Sequence, residues 1–187
     1  MKLPAIFSRR KPFNLADQNA PSWQARTLAA VQIVQAVGDL KQPFKVVDIG
    51  AGDRKLEAAL RGTFDLEYMG YDILPQSPSI TYLNAETGLP PDLGDLTFAL
   101  GLLEYLSAPE KVFAQIAANG RYLVFSYVTS DSGHYSPKDL ARLTWKTHYS
   151  VAQITDLMRQ AGLETVKRLD MFPEHYSIWL ARPARFS

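Results

Sequence analysis

The stretch Lys45-Val46-Val47-Asp48-Ile49-Gly50-Ala51-Gly52-Asp53 constrains this chain more than any other. Its apolar run holds Val46, Val47 and Ile49, β-branched residues that favour an extended backbone over a turn of helix. Gly50 and Gly52 follow at once, removing Cβ atoms where the chain must bend and where a ligand can approach the backbone. The unit reads as a buried strand, a glycine turn and the start of a helix. At the start of an α/β domain, such a unit is where nucleotide-like cofactors bind. The remaining chain reads as a sheet built outward from it.

Upstream, residues 1–21, with Pro4 and Pro12, read as an irregular arm. Residues 22–40 read as a helix, capped by Ser22, with Leu28, Val31, Val34 and Val37 as an apolar line and Gly38 and Pro43 as stops. Residues 44–182 carry the sheet. Strand one is Lys45 to Ile49, followed by a short helix over 54–61 that ends at Gly62. Strand two runs from Leu66 to Tyr71 and meets Asp72. Pro75 and Pro78 bar a regular helix in the next crossover. Strand three is 80–83, strand four 95–100 and strand five 122–127. Ser107 and Glu110 predict a capping box for a helix reaching about Ala118. Further helices are expected from Ser136 and from Ser150, the second boxed by Gln153. The last two apolar runs, 164–171 and 176–181, are joined by Phe172-Pro173-Glu174-His175. So short a link forces an antiparallel hairpin.

Bulk properties narrow the function classes. The 187 residues suit one domain with a sizeable core. Lys plus Arg total 20 against 19 Asp plus Glu, which argues against a dedicated nucleic-acid binder. The Arg9-Arg10-Lys11 cluster reads as a solvated run in the arm. No cysteine is present, so neither disulfides nor thiolate metal sites are expected. No stretch is long and apolar enough to span a bilayer, and a soluble cytoplasmic protein is the expectation.

The glycine turn does not suit a dinucleotide. The third glycine of that fingerprint would fall at Lys55, and the Gly-Lys-Ser/Thr ending of a phosphate loop is missing. Acidic residues stand there instead, Asp48 and Asp53 around the turn and Asp72 after strand two. They suit a cationic ligand better than a pyrophosphate, and a carboxylate at the end of strand two can accept from both hydroxyls of a ribose. Plainer roles are open to the same residues, a helix cap for Asp48 and a turn for Asp72.

Taken together, D-I-G-A-G-D, Asp72, Asn84-Ala85-Glu86 and F-A-L-G-L-L-E-Y-L resemble the class I S-adenosylmethionine-dependent methyltransferases over residues 44–182. The resemblance implies a Rossmann-like α/β fold. Its sheet would be seven-stranded and mostly parallel, ordered 3-2-1-4-5-7-6 with the last strand antiparallel and helices on both faces. It implies S-adenosylmethionine as cofactor, with Asp48, Gly50 and Gly52 around the methionine part and Asp72 on the ribose. Asn84 and the Ala85 backbone fall beside the adenine, and Leu100 and Gly101 beneath the sulfonium. Many members carry a His where this chain has Tyr105, which puts a His-based mechanism at that point in doubt. The N-P-P-Y-type motif of base methylation is missing after strand four.

Methyl transfer is an in-line displacement that rests on alignment, with a base needed only if the acceptor must lose a proton. The candidates for that role are His134, His148 and Tyr105. All three histidines fall on the cofactor side, yet no ligand spacing recurs and no metal is expected. Tyr127, Tyr135 and Tyr149 are candidates for lining an acceptor pocket, or for packing. The expected partner is a small-molecule acceptor. Residues 84–89 and 147–169 are also faintly similar to the MetW-type methionine-biosynthesis proteins. That likeness implies a different class of role, a cofactor-binding protein assisting a partner acyltransferase.

Overall fold

The computed structural model describes residues 21–171 and 176–184. The expected arm, apart from Pro21, and His175 in the hairpin link lie outside these residues. Seven strands form one sheet: β1 (Phe44–Ile49), β2 (Leu66–Asp72), β3 (Ile80–Tyr82), β4 (Leu96–Ala99), β5 (Tyr122–Tyr127), β6 (Leu163–Met171) and β7 (Tyr176–Pro183). Their order is β3-β2-β1-β4-β5-β7-β6, the one the family resemblance implies. Strands β1 to β5 pair in parallel, and β7 runs antiparallel to both β5 and β6.

The central strands are apolar on both faces because helices cover both. Along β5 and β7 the side chains alternate between two cores. Tyr122, Val124, Ile178 and Leu180 join the core under α1 (Pro21–Val34) and α2 (Lys55–Arg61). Leu123, Phe125, Trp179 and Ala181 join the other, under α3 (Glu110–Asn119) and α5 (Val151–Gln160). In the second core Phe125 and Trp179 stack with centroids 5.0 Å apart. The remaining helix, α4 (Pro137–Leu143), lies in the segment between β5 and α5.

Helix α1 departs from the sequence expectation in length and at Leu28. It ends at Val34, where the amides of Ala36 and Val37 turn back onto the Ile33 and Val34 carbonyls. Its buried face is Ala29, Ala30, Val31, Ile33 and Val34, with Val37 packed against the same core. Of the expected Leu28–Val37 line only Leu28 faces away, 66 % exposed, because steps of three residues drift by about 60° each around a helix.

Two expected capping boxes form. The Ser136 hydroxyl accepts from the Asp139 amide, the Ser150 hydroxyl accepts from the Gln153 amide, and each later side chain accepts from the cap residue's own amide. The third, at Ser107, does not form. Helix α3 starts from Pro109 with no side-chain cap. The Ser107 amide and hydroxyl instead donate to Glu86 Oε1, at 3.0 and 3.1 Å. Glu86, itself paired with Lys146, gives Ser107 a charged partner, which outcompetes a neutral helix amide.

Candidate functional site

The expected cofactor residues gather at the carboxyl ends of β1 to β4, where a parallel sheet binds ligands. Gly50 and Gly52 adopt φ of +83° and +51°, the left-handed region that glycine enters at no steric cost. Their turn is stitched to β2: the amides of Gly50 and Ala51 donate to the Tyr71 carbonyl, and the Gly52 amide donates to Asp72 Oδ2 at 2.9 Å. The other oxygen of Asp72 accepts from the Leu74 amide at 2.8 Å. Open space surrounds the position a Cβ would take on Gly52, leaving that backbone face accessible.

Asp48 is 3 % exposed. The Tyr68 hydroxyl donates to its Oδ2 at 2.5 Å. Burial pushes the Asp48 carboxyl up to about 7, against the Tyr68 hydrogen bond, and the nearby Asp72 and Glu57 add to the rise. Asp48 is thus a carboxylate-to-be that lacks a cation. Burial also pushes the Tyr68 phenol well above its ordinary range, with the Asp48 charge acting the same way.

After β3, Asn84 is half-buried and its Oδ1 accepts from the Glu86 amide at 3.1 Å, an Asx turn that leaves its NH2 group as donor. Ala85 and Glu86 line a cavity of about 370 Å³ with Gly88, Lys111 and Gln115. After β4, Leu100 is half-buried, and Gly101 takes φ +63° with its amide donating to Ser126 Oγ at 2.8 Å. A Cβ on Gly50 would stand 3.7 Å from Leu102, so the glycine turn faces this post-β4 segment. Asp48, Gly50, Gly52, Asp72, Gly101 and the Asn84-Ala85 pair therefore share one rim of the sheet.

The candidate bases are placed differently. Tyr105 closes a 3-10 turn over Leu103–Tyr105, and burial raises its phenol. His134 is exposed, its ring edge-on to Tyr135 at 4.8 Å. His148 is half-buried, 5.9 Å from Trp145, whose ring lies 5.1 Å from Tyr135. Burial holds the His148 imidazole below its ordinary value, although a hydrogen bond to the Thr129 backbone opposes this. Its Nε2 is buried without a partner. Tyr127 is fully buried, its hydroxyl bonding Thr147 Oγ1 and the Tyr149 amide, each at 3.1 Å. It packs the core rather than lining a pocket. Among the described residues no group of three His, Asp or Glu could hold a metal ion.

Two further charged residues stand at this rim, Arg26 outside any motif and Glu104 within F-A-L-G-L-L-E-Y-L. Arg26 of α1 lies against Gly101, where a Cβ would overlap its Nη1 and stand 3.1 Å from Trp23. Its guanidinium sits between the rings of Trp23, at 4.4 Å, and Tyr176, at 4.6 Å. Glu104 is 2 % exposed; its Oε1 accepts from the Val128 amide at 2.9 Å. Arg26 is the only Lys or Arg within α1, which is the one sequence signal that marks it.

The methyltransferase-domain family model matches residues 22–168, most of the chain and all of this rim. The chain belongs to the methyltransferase-domain family. No curated protein matches the sequence. Solved structures share the fold of this methyltransferase-domain chain at low identity. A chain of the complex between the Haloferax volcanii Trm112 methyltransferase activator and a putative methyltransferase is 16% identical, with a TM-score of 0.68 over 88% of this chain and 92% of that one. The Burkholderia thailandensis 1,6-didemethyltoxoflavin-N1-methyltransferase, with bound 1,6-didemethyltoxoflavin and S-adenosylhomocysteine, is 19% identical, TM-score 0.66, covering 88% and 81%. The magnesium protoporphyrin IX methyltransferase of Synechocystis PCC 6803, with bound SAH, is 19% identical, TM-score 0.67, covering 87% and 84%. No described helix is long and apolar enough to cross a membrane.

Proposed function

We propose that this methyltransferase-domain protein uses S-adenosylmethionine and methylates a small-molecule acceptor. The observation that carries this is the pinning of Asp72 by the Gly52 and Leu74 amides. A carboxylate offers about four acceptor sites, and the two backbone bonds leave about two for a pair of ribose hydroxyls. Asp48 supports the same ligand. Its surroundings contribute burial, the Tyr68 hydroxyl and two further acids, while the neighbouring Arg54, over the Tyr68 ring, pairs with Glu57 rather than with Asp48. A cationic ligand relieves that burial, whereas a pyrophosphate would worsen the charge.

On the family pattern Asp48, Gly50 and Gly52 hold the methionine part, Asp72 the ribose, Asn84 and Ala85 the adenine, and Leu100 and Gly101 the floor beneath the sulfonium. When bound, the cofactor supplies a methyl group on an excellent leaving group. The chain's own residues then have to align two reactants and exclude water. Leu102 lies against Gly50 and Trp23 against Gly101, so apolar side chains flank the rim. Where the acceptor must lose a proton, His148 is the best base of the three candidates, because its free Nε2 belongs to a neutral imidazole. His134 is exposed, and the buried Tyr105 phenol gives up its proton less readily than an ordinary tyrosine. We read residues 1–187 as one cytoplasmic methyltransferase domain with its core sheet over 44–182.

A second reading, a cofactor-binding protein that assists a partner, gains support from the Haloferax chain of similar fold, which is described in complex with an activator. Calorimetry with S-adenosylhomocysteine tests the shared premise. Wild type binds, and Asp72→Ala binds about 10–100-fold more weakly, the worth of hydrogen bonds to a charged group. No binding to wild type overturns both readings. Release of S-adenosylhomocysteine with any of a panel of acceptors then supports the enzyme. No release, together with a co-purifying partner protein, supports the assisting role.

A further inference from the structure

We propose that Arg26 anchors the methyl acceptor and that the acceptor carries a carboxylate; the proposal rests on the methyl-transfer reading above and names its substrate class. The guanidinium carbon of Arg26 lies over the rings of Trp23 and Tyr176, 4.4 and 4.6 Å from their centroids. Such cation–π contacts hold the group in place without using its N–H donors. That edge meets the end of β4, where only a glycine lets Nη1 come so close to the backbone. Its Nε is buried and has no hydrogen-bond partner. A buried donor left unmatched is uncommon in native proteins and calls for a missing group.

The partner that the fold might have supplied is Glu104. It lies within electrostatic reach of Arg26, which lowers its carboxyl while burial raises it more. The two do not form a salt bridge, and Glu104 Oε2 is itself buried without a partner. A purely structural pair would close this gap, since breaking a buried pair costs several kcal/mol. Arg26 and Glu104 instead stay apart, one cationic edge and one acceptor oxygen facing an unfilled need. Tyr135, also half-buried, is within electrostatic reach of both. The three come from α1, the turn after β4 and the segment after β5, all meeting beside Gly101.

The planar, bidentate fork of a guanidinium matches a carboxylate. A single fixed positive charge beside Glu104 favours a monoanion over a phosphate dianion, which that second carboxylate would repel. The anchored acceptor would sit next to the floor assigned to the sulfonium, so one contact would serve binding and alignment together.

Saturation-transfer NMR on the full chain, with and without S-adenosylhomocysteine, tests this using acid and amide pairs: benzoate with benzamide, phenylacetate with phenylacetamide, and 4-hydroxybenzoate with its amide. The expected result is an acid bound about tenfold or more tightly than its amide, as a charge-assisted bidentate contact requires. Arg26→Gln and Arg26→Lys should each abolish that preference while S-adenosylhomocysteine affinity stays within about threefold, since Arg26 is not assigned to the cofactor. Wild type that binds no acid better than its amide overturns the anchor, and so does a preference that survives in Arg26→Gln. Loss of S-adenosylhomocysteine binding in wild type sinks the methyl-transfer reading instead, and the acid–amide comparison without it still decides the anchor.

Discussion

At the ends of β1 and β2 the polar groups have already found one another. Both oxygens of Asp72 accept backbone amides, the Gly50 and Ala51 amides share the Tyr71 carbonyl, and Asp48 takes the Tyr68 hydroxyl. Across β4 orphans cluster: Arg26 Nε, Glu104 Oε2 and His148 Nε2 are all buried without partners, whereas beside the β1 turn Arg54 Nε alone among the described residues is so placed. The first region is preorganised by its own backbone, so a ligand adds to a finished frame. The second is made of side chains from three distant segments, and their orphaned atoms mark where something else must bind. In a protein with only a few kcal/mol to spare, such orphans persist where function requires them.

The largest expected effect breaks this contrast at its one weak point, Asp48. Its folded carboxyl titrates at about 7, above the 3.8 it has when unfolded. The folded state therefore binds the proton more tightly than the unfolded state. The stability this gives is complete below pH 3.8 and is lost as pH rises through about 7. Asp48→Asn keeps an acceptor for Tyr68 without the charge. Its melting temperature relative to wild type should rise between pH 5 and pH 8, by an amount equivalent to a few kcal/mol. Cofactor binding at pH 6 should release a proton, seen as a dependence of calorimetric heat on buffer ionisation. A pH-independent difference and no proton release would show that Asp48 already has a counter-charge.

Next in size is Tyr127→Phe. The hydroxyl of Tyr127 bonds Thr147 and the Tyr149 amide in the core, and its loss should cost about 1–2 kcal/mol in denaturant unfolding. Binding of S-adenosylhomocysteine should not change. A loss of acceptor turnover without a loss of stability would return Tyr127 to the pocket.

How much of this was legible in the sequence follows the same division. The β1 turn and the Asp72 stop were readable because each is a local pattern of glycine, acid and β-branched residues, whereas the strand order came only with the family resemblance. Tyr68, which decides the electrostatics of Asp48, sits on the neighbouring strand opposite Val46 and carries no signature. Arg26 escaped notice because it lies 78 positions from Glu104 of the F-A-L-G-L-L-E-Y-L stretch, and only the tertiary fold brings it to Gly101. On α1 only Leu28 was misplaced, while Val31, Val34 and Val37 meet the core as expected; Ala29 and Ala30, small enough to be overlooked in a hydrophobic line, form the contact in its place.

Two glycines compare the regions directly. Gly52 and Gly101 have similar left-handed φ, +51° and +63°, so alanine at either should cost roughly 1–2 kcal/mol of stability from the backbone alone. Their surroundings differ. Gly52→Ala grows into open space at the cofactor turn and should weaken S-adenosylhomocysteine. Gly101→Ala meets the far end of Arg26, which swings aside, and should erase the preference for acids over amides. The opposite assignment of losses would merge the two regions into one.

The smallest effect concerns the helix cap that did not form. Had Ser107 capped α3, its removal would cost about 1 kcal/mol, the usual worth of such a cap. In the structure its hydroxyl only shares Glu86 Oε1 with its own amide and with Lys146, and it is exposed to solvent. Ser107→Ala keeps the amide bond and the ion pair, so it should lower stability by only a few tenths of a kcal/mol, within the range of exposed polar contacts. Glu86→Gln should cost more than Ser107→Ala, because it weakens the hydrogen bonds and removes the ion pair, and raised salt should narrow that difference. Equal costs for the two, or a full kcal/mol for Ser107→Ala, would put the serine back at the head of α3. Glu86 joins the loop after β3 to the turn after β4 and, through Lys146, to the segment after β5. Glu86→Gln therefore also shows whether the finished region and the unfinished one are held together by more than the sheet.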